Sequence, residues 1–251
     1  MTMFQVEQRG AVGVLRIDDG RVNAMSPAWV TGFPAAFREA AKGPRPVVIL
    51  GNQKAFSAGL DLKQLPTLSP AELVGFTRGF MGAFREVLAH PRPVVAGLDG
   101  AAIAGGSVLA LCADFRIATA RAKMGVTELP VGIPFPGPVI ELVRARLPPQ
   151  EATEAILRGT LREGDACLAK GWVDKIVDAN SLGDACLQLA DDMGAQSPLA
   201  YGMAKAQLNC EIVRQFEDFE KNGAEAWAAL LGHADTRAAL QRTIARLTKR
   251  Q

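Results

Sequence analysis

Few side chains in this 251-residue chain could carry out chemistry that depends on histidine or cysteine. It has two histidines, His90 and His233. A His-rich zinc site is therefore impossible, and a Ser-His-Asp triad would have to use one of these two. The cysteines show no CxxC spacing, which predicts reduced thiols of a cytosolic protein rather than a disulfide or metal framework: Cys112, Cys167, Cys186 and Cys210.

Two glycine-rich segments could instead do chemistry with their backbone. They are 54–62 (KAFSAGLDL) and 100–107 (GAAIAGGS), and each follows a short β-branched or apolar run. Glycine allows positive φ and a close approach to a ligand, and the free N–H groups of a helix start favour negative charge. Neither segment fits a P-loop or a GxGxxG fingerprint. Taken alone, each is also what a tight connection in a packed α/β core requires.

The surrounding pattern predicts the elements that hold these turns. A β-hairpin is expected over 4–8 and 12–17, and buried strands over 46–51, 93–97, 115–119 and 172–177. Helices are expected over 26–42, 69–90 and 105–112, and almost throughout after residue 181, with a new start at Ser197-Pro198. Alternating strands and helices followed by helices indicate an α/β core over 1–195 and a helical segment over 196–251.

The composition and charge of the chain argue against several classes of function. Apolar residues make up 49%, charged residues 22% and aromatic residues 6% of the chain, and the net charge is +2. These values predict a globular protein without nucleic acid as its main partner. The most apolar stretch, 94–113, is broken by Asp99 and several glycines, so no membrane span is expected. The first residues lack an apolar signal core, which predicts a cytoplasmic location.

Several segments, in this order, resemble the enoyl-CoA hydratase/isomerase (crotonase) superfamily. They are Asn23-Ala24-Met25, the two glycine-rich turns, 124–134 (MGVTELPVGIP), and Ala166 with 170–174 (KGWVD), while the tail after Ser197 resembles the family's helical C-terminal part. The resemblance implies a spiral of ββα units with a C-terminal helical trimerisation segment. It also implies an acyl-CoA substrate, no separate cofactor, no metal, and a homotrimer or a hexamer built from two trimers.

The resemblance also assigns roles to positions. The thioester oxygen would lie between the backbone N–H groups of Leu60 and Gly105, and Glu128 would be the acid–base group. Basic Lys54, and Lys249 or Arg250 from a neighbouring subunit, are weaker candidates for the CoA phosphates. The segments that would contact CoA contain Arg21, Asn23, Ala24, Ala58, Leu60, Asp61, Leu62 and Lys63.

The chemistry depends on how many carboxylates the site has. Hydratases of the family carry a glutamate three residues past the oxyanion-hole glycine, and here that position is Val108. A second isomerase subgroup has its base in the loop near Pro136, where no acid is present. Glu128 remains, and one carboxylate can move one proton between two carbons. This favours a Δ3,Δ2-enoyl-CoA isomerase, closest in motif to the mitochondrial type. A 2-enoyl-CoA hydratase, a non-catalytic acyl-CoA-binding trimer and other crotonase reactions stay open.

The pattern around Glu128 by itself indicates an exposed loop carboxylate, and only the resemblance makes it catalytic. If it is catalytic, an apolar wall including Val108 and Phe135 is expected to raise its pKa. The remaining polar candidates are given structural or solvated roles: Asp61 as a turn stabiliser, Asp114 as a structural acid, Glu141 on a solvated or paired helix face, and His90 and His233 as structural residues.

Overall fold

The computed structural model describes residues 2–43 and 45–248. Its strands are β1 (Phe4–Arg9), β2 (Val12–Ile17), β3 (Val47–Leu50), β4 (Ala55–Ser57), β5 (Val94–Leu98), β6 (Ala101–Ile103), β7 (Phe115–Ala118), β8 (Lys123–Gly125), β9 (Arg162–Glu163) and β10 (Lys175–Ile176). Its helices are α1 (Pro27–Ala40), α2 (Pro70–Ala89), α3 (Gly105–Cys112), α4 (Glu128–Val131), α5 (Gly137–Arg146), α6 (Pro149–Arg158), α7 (Asp165–Ala169), α8 (Leu182–Gly194), α9 (Pro198–Asp218), α10 (Ala224–Leu231) and α11 (Ala234–Thr248).

The strands form two sheets. The first has the order β1-β2-β3-β5-β7-β10, in which only the β1–β2 hairpin is antiparallel. The second has the order β4-β6-β8-β9, in which β4, β6 and β8 are parallel and β9 is antiparallel. From β3 to β8, successive strands alternate between the sheets, so the pairs β3-β4, β5-β6 and β7-β8 each contribute one strand to either sheet before a helix. This spiral of ββα units confirms the predicted fold class.

Local signals in the sequence set several element boundaries. Ser26 caps α1, and at Ser69 the side chain and that of Glu72 form the reciprocal capping box predicted for α2. Ser197 caps α9, as its Ser-Pro pair predicts. The strand predicted over 172–177 is wrong in extent, because only Lys175–Ile176 pairs with β7. Trp172 is fully buried ahead of that strand, so its burial comes from side-chain packing rather than from sheet pairing.

The C-terminal helices fold back onto the core of their own chain. Lys205 on α9 donates to the Asp114 carboxylate at 2.7 Å, and Asn209 donates to Leu88 O at 3.3 Å. A π-helical turn, Phe219–Gly223, then leads into α10. Apolar side chains of these helices join the main core of the same chain: Ile212, Phe216, Trp227, Leu231 and Leu240. Over the described residues, no helix combines the length and apolarity needed to cross a membrane.

Candidate active site

Three parallel strands of the second sheet end at one edge, and the candidate residues follow them. β4 leads into Leu60, β6 into Gly105, and β8 into Glu128. The residue Ile103 at the end of β6 pairs with Gly125 at the end of β8. In parallel α/β sheets, ligands bind beyond the carboxyl ends of the strands. The topology therefore brings the three predicted catalytic positions to one edge of one sheet.

The two glycine-rich turns are in contact. Gly59 has φ +81°, and a Cβ built there would lie 2.8 Å from Ile103 O and 3.0 Å from Gly105 N. Met25 holds the first turn from its other side, because its N–H donates to Gly59 O at 2.8 Å and its carbonyl accepts from Asp61 N at 3.2 Å. In this bridge the N–H of Leu60 is directed away from Met25.

Both predicted oxyanion-hole donors are free to bind a ligand. Within the described part of the chain, neither the Leu60 N–H nor the Gly105 N–H donates to a protein acceptor. Gly105 is the first residue of α3, where backbone N–H groups have no partner inside the helix. An oxygen that gains negative charge between these two donors would be stabilised by both.

Backbone strain lies next to one of these donors. Ala104 has φ +52° and ψ −122°, a conformation that residues with a Cβ rarely adopt. Its N–H donates to Gly125 O at 2.8 Å, which ties the start of α3 to β8. Gly164, ahead of α7, has nearly the same φ and ψ without a Cβ. The strain at Ala104 is thus held by the β6–β8 pairing, and it sets the direction of the Gly105 N–H.

Glu128 is a buried carboxylate without an ion-pair partner among the described residues. Its exposed fraction is 7%, and no described residue hydrogen-bonds its Oε2. Burial raises its pKa from 4.5 to about 7, against a smaller opposing effect of its own backbone N–H. The prediction of an exposed loop carboxylate from the local pattern is therefore wrong, because Glu128 is buried and begins the short helix α4. Val108 is also buried, at 1% exposure, on the first turn of α3.

The C-terminal helices hold the turn that follows Glu128. Ile133 N donates to Glu128 O at 2.8 Å, and the Trp227 indole N–H on α10 donates to Pro134 O at 2.9 Å. Gly132 has φ +79°, and a Cβ there would lie 2.2 Å from the Cβ of Ala239 on α11. The position of the carboxylate thus depends on residues about one hundred positions later in the chain.

The predicted CoA-contacting segments lie side by side. Ala58 N donates to Val22 O at 2.9 Å, next to the Met25–Leu60 bridge, so the 21–25 and 58–63 segments form one surface. The exposed side chains there are those of Arg21, Val22 and Lys63, and the half-buried ones are those of Ala24, Ala58, Leu60, Asp61 and Leu62. Lys54 is exposed as well, and its Nζ donates to Gly20 O at 3.3 Å.

Asn23 differs from its neighbours on this surface. It is fully buried at φ +54°, and its amide donates to Ile17 O and Ala55 O at 2.8 and 2.9 Å. Its Oδ1 accepts from Asp19 N at 2.9 Å. The side chain is therefore fully used in shaping the loop, and a role in holding Met25 against the first turn fits it better than a side-chain contact with CoA.

The other polar candidates have structural surroundings. Asp61 accepts from Lys63 N and Gln64 N in its own turn, and Asp114 accepts from Val94 N and Lys205. Glu141 pairs with Arg144 on an exposed face of α5, and His233 is exposed near Asp235. His90 donates to Arg45 O at 2.8 Å, and burial lowers its pKa to about 4. Lys249 and Arg250 lie outside the described residues.

Sequence reasoning missed Ala104 and Trp227. No residue-type signal marks Ala104, because alanine is unremarkable before a helix and only the three-dimensional pairing forces its positive φ. Trp227 sits in a helical stretch without a motif, and its partner Pro134 is far away in sequence. Over the described residues, no cluster of three or more histidine, cysteine, aspartate or glutamate side chains could hold a metal ion.

The comparisons with known proteins match this arrangement. The family model described as enoyl-CoA hydratase/isomerase matches residues 7–250. The chain belongs to this family. A putative enoyl-CoA hydratase of Thermus thermophilus is 32% identical over 82% of this chain and 83% of that protein. An enoyl-CoA isomerase/hydratase of Mycosarcoma maydis is 33% identical over 68% of this chain, and the matched stretch spans 64% of that relative, slightly under two thirds.

A solved structure supports the fold over the whole chain. The human mitochondrial Δ3-Δ2-enoyl-CoA isomerase superposes with a TM-score of 0.95 over 100% of both chains. Its sequence identity of 22% makes this a likeness of fold. The match to the family model confirms the predicted membership in the enoyl-CoA hydratase/isomerase family. The relatives carry both hydratase and isomerase names, so the reaction has to be argued from the site itself.

Proposed function

We propose that this protein is a Δ3,Δ2-enoyl-CoA isomerase. The observation that carries the proposal is the state of its carboxylates. Among the described residues, two carboxylates are buried, those of Glu128 and Glu151. The Glu151 carboxylate accepts hydrogen bonds from Arg162 and from the Trp172 indole N–H. Glu128 alone is buried without a cation, and it follows the same sheet edge as the two free backbone donors. A site with two N–H groups and one carboxylate suits a reaction that moves one proton.

The reaction can be written for these groups. The thioester oxygen of a 3-enoyl-CoA binds the N–H groups of Leu60 and Gly105, which makes the C2 protons more acidic. Glu128 takes a C2 proton, and the resulting negative charge spreads over C2, C4 and the oxygen. The same carboxyl then returns the proton to C4, which leaves a double bond between C2 and C3. Removing one such donor typically costs ~3–4 kcal/mol of transition-state stabilisation.

The pKa of Glu128 suits both halves of this cycle. At about 7, the carboxyl is partly ionised at neutral pH and can accept a proton, yet it is basic enough to retain it until C4 is in reach. Val108 at the position of a second carboxylate supports isomerisation over hydration, since water addition is best served by two carboxylates that hold one water.

The test compares a 3-enoyl-CoA with a 2-enoyl-CoA of equal length, using wild type and Glu128→Gln. We expect wild type to isomerise the first without hydrating the second, and Glu128→Gln to lose turnover while it still binds the ester. Glu141→Gln is the matched control, because that carboxylate is paired with Arg144 on an exposed helix face. Near wild-type turnover by Glu128→Gln would end the proposal, whereas ester binding without any turnover by wild type would favour a protein that only binds acyl-CoA.

A 2-enoyl-CoA hydratase that works with one carboxylate is the second candidate. It is favoured by the relatives' names, among them the Thermus thermophilus protein. Hydration by wild type in the assay above would support it. If Val108 is what limits hydration, Val108→Glu should raise the hydration rate, whereas an isomerase site should gain little from that change.

We further propose an acyl-CoA substrate, with CoA as part of the substrate and no separate cofactor, and Arg21, Lys54 and Lys63 as contacts for its phosphates. A cytoplasmic homotrimer or dimer of trimers is proposed as the working form. Large apolar side chains outside the core support self-association: Leu157, Leu199, Met203 and Leu208, each at least 66% exposed. Light scattering after size-exclusion chromatography tests this, and a monomer at micromolar concentration would contradict it.

A further inference from the structure

A leucine-lined cavity lies between the loop after the first glycine-rich turn and the C-terminal helices. Its volume is about 230 Å³. Leu60, Gly105 and Glu128 do not line it, but two of its walls belong to segments next to the candidate site. The loop begins only a few residues after Leu60, and the α11 wall includes the residue next to Ala239, which lies against Gly132 beyond Glu128. The apolar wall consists of Leu65, Leu68, Leu73, Leu231 and Leu240.

One cation lines this cavity with no partner. The Arg237 side chain on α11 is exposed at the cavity, and none of the described residues forms an ion pair or hydrogen bond with it. The residues three and four positions away are His233, just before α11, and Ala234, Leu240 and Gln241 on it, so no acid lies on its face of α11. Two arginines on other exposed helix faces do have such a partner, in the Arg144–Glu141 and Arg214–Glu211 pairs.

The size and lining together limit what can bind. A cavity of this volume is smaller than the 300–1,000 Å³ of sites that enclose a whole drug-sized ligand. It suits the acyl end of a thioester rather than the CoA part. Leucine walls fit methylene groups, and a guanidinium at the wall fits a terminal carboxylate, with which it can form two parallel hydrogen bonds.

We propose that this cavity receives an acyl chain that ends in a carboxylate, so that the preferred substrates are CoA monothioesters of dicarboxylic acids, with Arg237 binding the distal carboxylate. This rests on the proposed acyl-CoA function and specifies its substrate class. A methyl-ended chain of equal length would leave Arg237 unpaired.

Binding tests the proposal without any turnover. The probes are hexanoyl-CoA and the CoA monothioester of hexanedioic acid, titrated calorimetrically into wild type, Arg237→Leu and the matched control Arg242→Leu, which changes an exposed arginine on the same helix outside the cavity lining. In wild type, the diacid thioester should bind about three- to fivefold more tightly at low salt. Arg237→Leu should abolish or reverse this preference, and Arg242→Leu should keep it.

Two results would overturn the inference: equal binding of both probes by wild type, or a preference that survives Arg237→Leu. Turnover of the corresponding 3-enoyl thioesters is measured separately. If the diacid preference depends on Arg237 but no thioester is isomerised, the substrate class stands and the proposed reaction fails. If both 3-enoyl thioesters are isomerised with equal kcat/KM, the reaction stands and the substrate class fails.

Discussion

The unpaired Glu128 carboxylate should make the native protein less stable than a variant without that charge. Glu128→Gln keeps the size and shape of the side chain and removes its ionisation. The folded-state pKa of about 7 lies above the ordinary value of 4.5, so the folded state binds the proton more tightly than the unfolded state does. Stability associated with the protonated carboxyl is complete below pH 4.5 and is lost as the pH rises to about 7.

The size of the loss follows from the two pKa values. A rise from 4.5 to about 7 corresponds to about 3 kcal/mol. Glu128→Gln should therefore be more stable than wild type by about 3 kcal/mol at pH 8, and the difference should shrink towards pH 5. For a chain of this length, the gain at pH 8 corresponds to a rise of roughly 6–12 °C in Tm.

Urea unfolding followed by tryptophan fluorescence measures this difference at each pH, because Trp29, Trp172 and Trp227 are all buried in the native protein. Both proteins must be compared at one concentration, since any assembly adds to the apparent stability. A stability difference that stays constant between pH 5 and 8.5 would refute the reasoning, because it would mean that the carboxylate is as well solvated in the folded chain as in the unfolded one.

Three further changes test the surroundings of the site. Gly105→Ala should fold but lose about tenfold or more in kcat, because the new Cβ would lie 3.0 Å from Met25 Sδ and displace the backbone N–H of residue 105. An unchanged kcat would argue against this N–H as an oxyanion donor. Trp227→Phe removes the indole N–H that donates to Pro134 O in the turn after Glu128. The acidic limb of the pH–rate profile should therefore shift while KM changes little. A profile identical to that of wild type would contradict a positioning role for Trp227. Ala104→Gly relieves the positive φ at residue 104. Chemical denaturation should therefore show a stability equal to that of wild type or up to about 1 kcal/mol above it. A large loss of stability would contradict backbone strain at Ala104.

Much of the fold could be predicted because its signals are local. The capping box of Ser69 and Glu72 and the Ser-Pro start of α9 lie in a few consecutive residues, and each fixes an element boundary. The short strands β4, β6 and β8 could not be found in the same way. Each has three residues, too few for an alternating pattern, and each is a strand only because its neighbours supply hydrogen-bond partners.

The sequence could name the candidate site positions but not their environment. The resemblance located Leu60, Gly105 and Glu128, and the sheet brings them to one edge. No local pattern could show that Glu128 is buried, since its surroundings come from β8, the turn at Gly132 and helices near the C-terminus. The expected apolar surroundings and raised pKa follow from that long-range packing.

The second sheet and the C-terminal helices together explain how the chain keeps two unfavourable features in one place. An unpaired buried carboxylate and a positive φ at Ala104 each cost free energy, and both lie beyond the carboxyl ends of strands that pair with each other. The Ala104–Gly125 hydrogen bond and the Trp227 contact with Pro134 join these features to rigid elements, so local relaxation would break other contacts. Strain that persists at a site is held by such surroundings. A protein that carries both Glu128→Gln and Ala104→Gly should therefore be at least as stable at pH 8 as either single variant, and catalytically inactive.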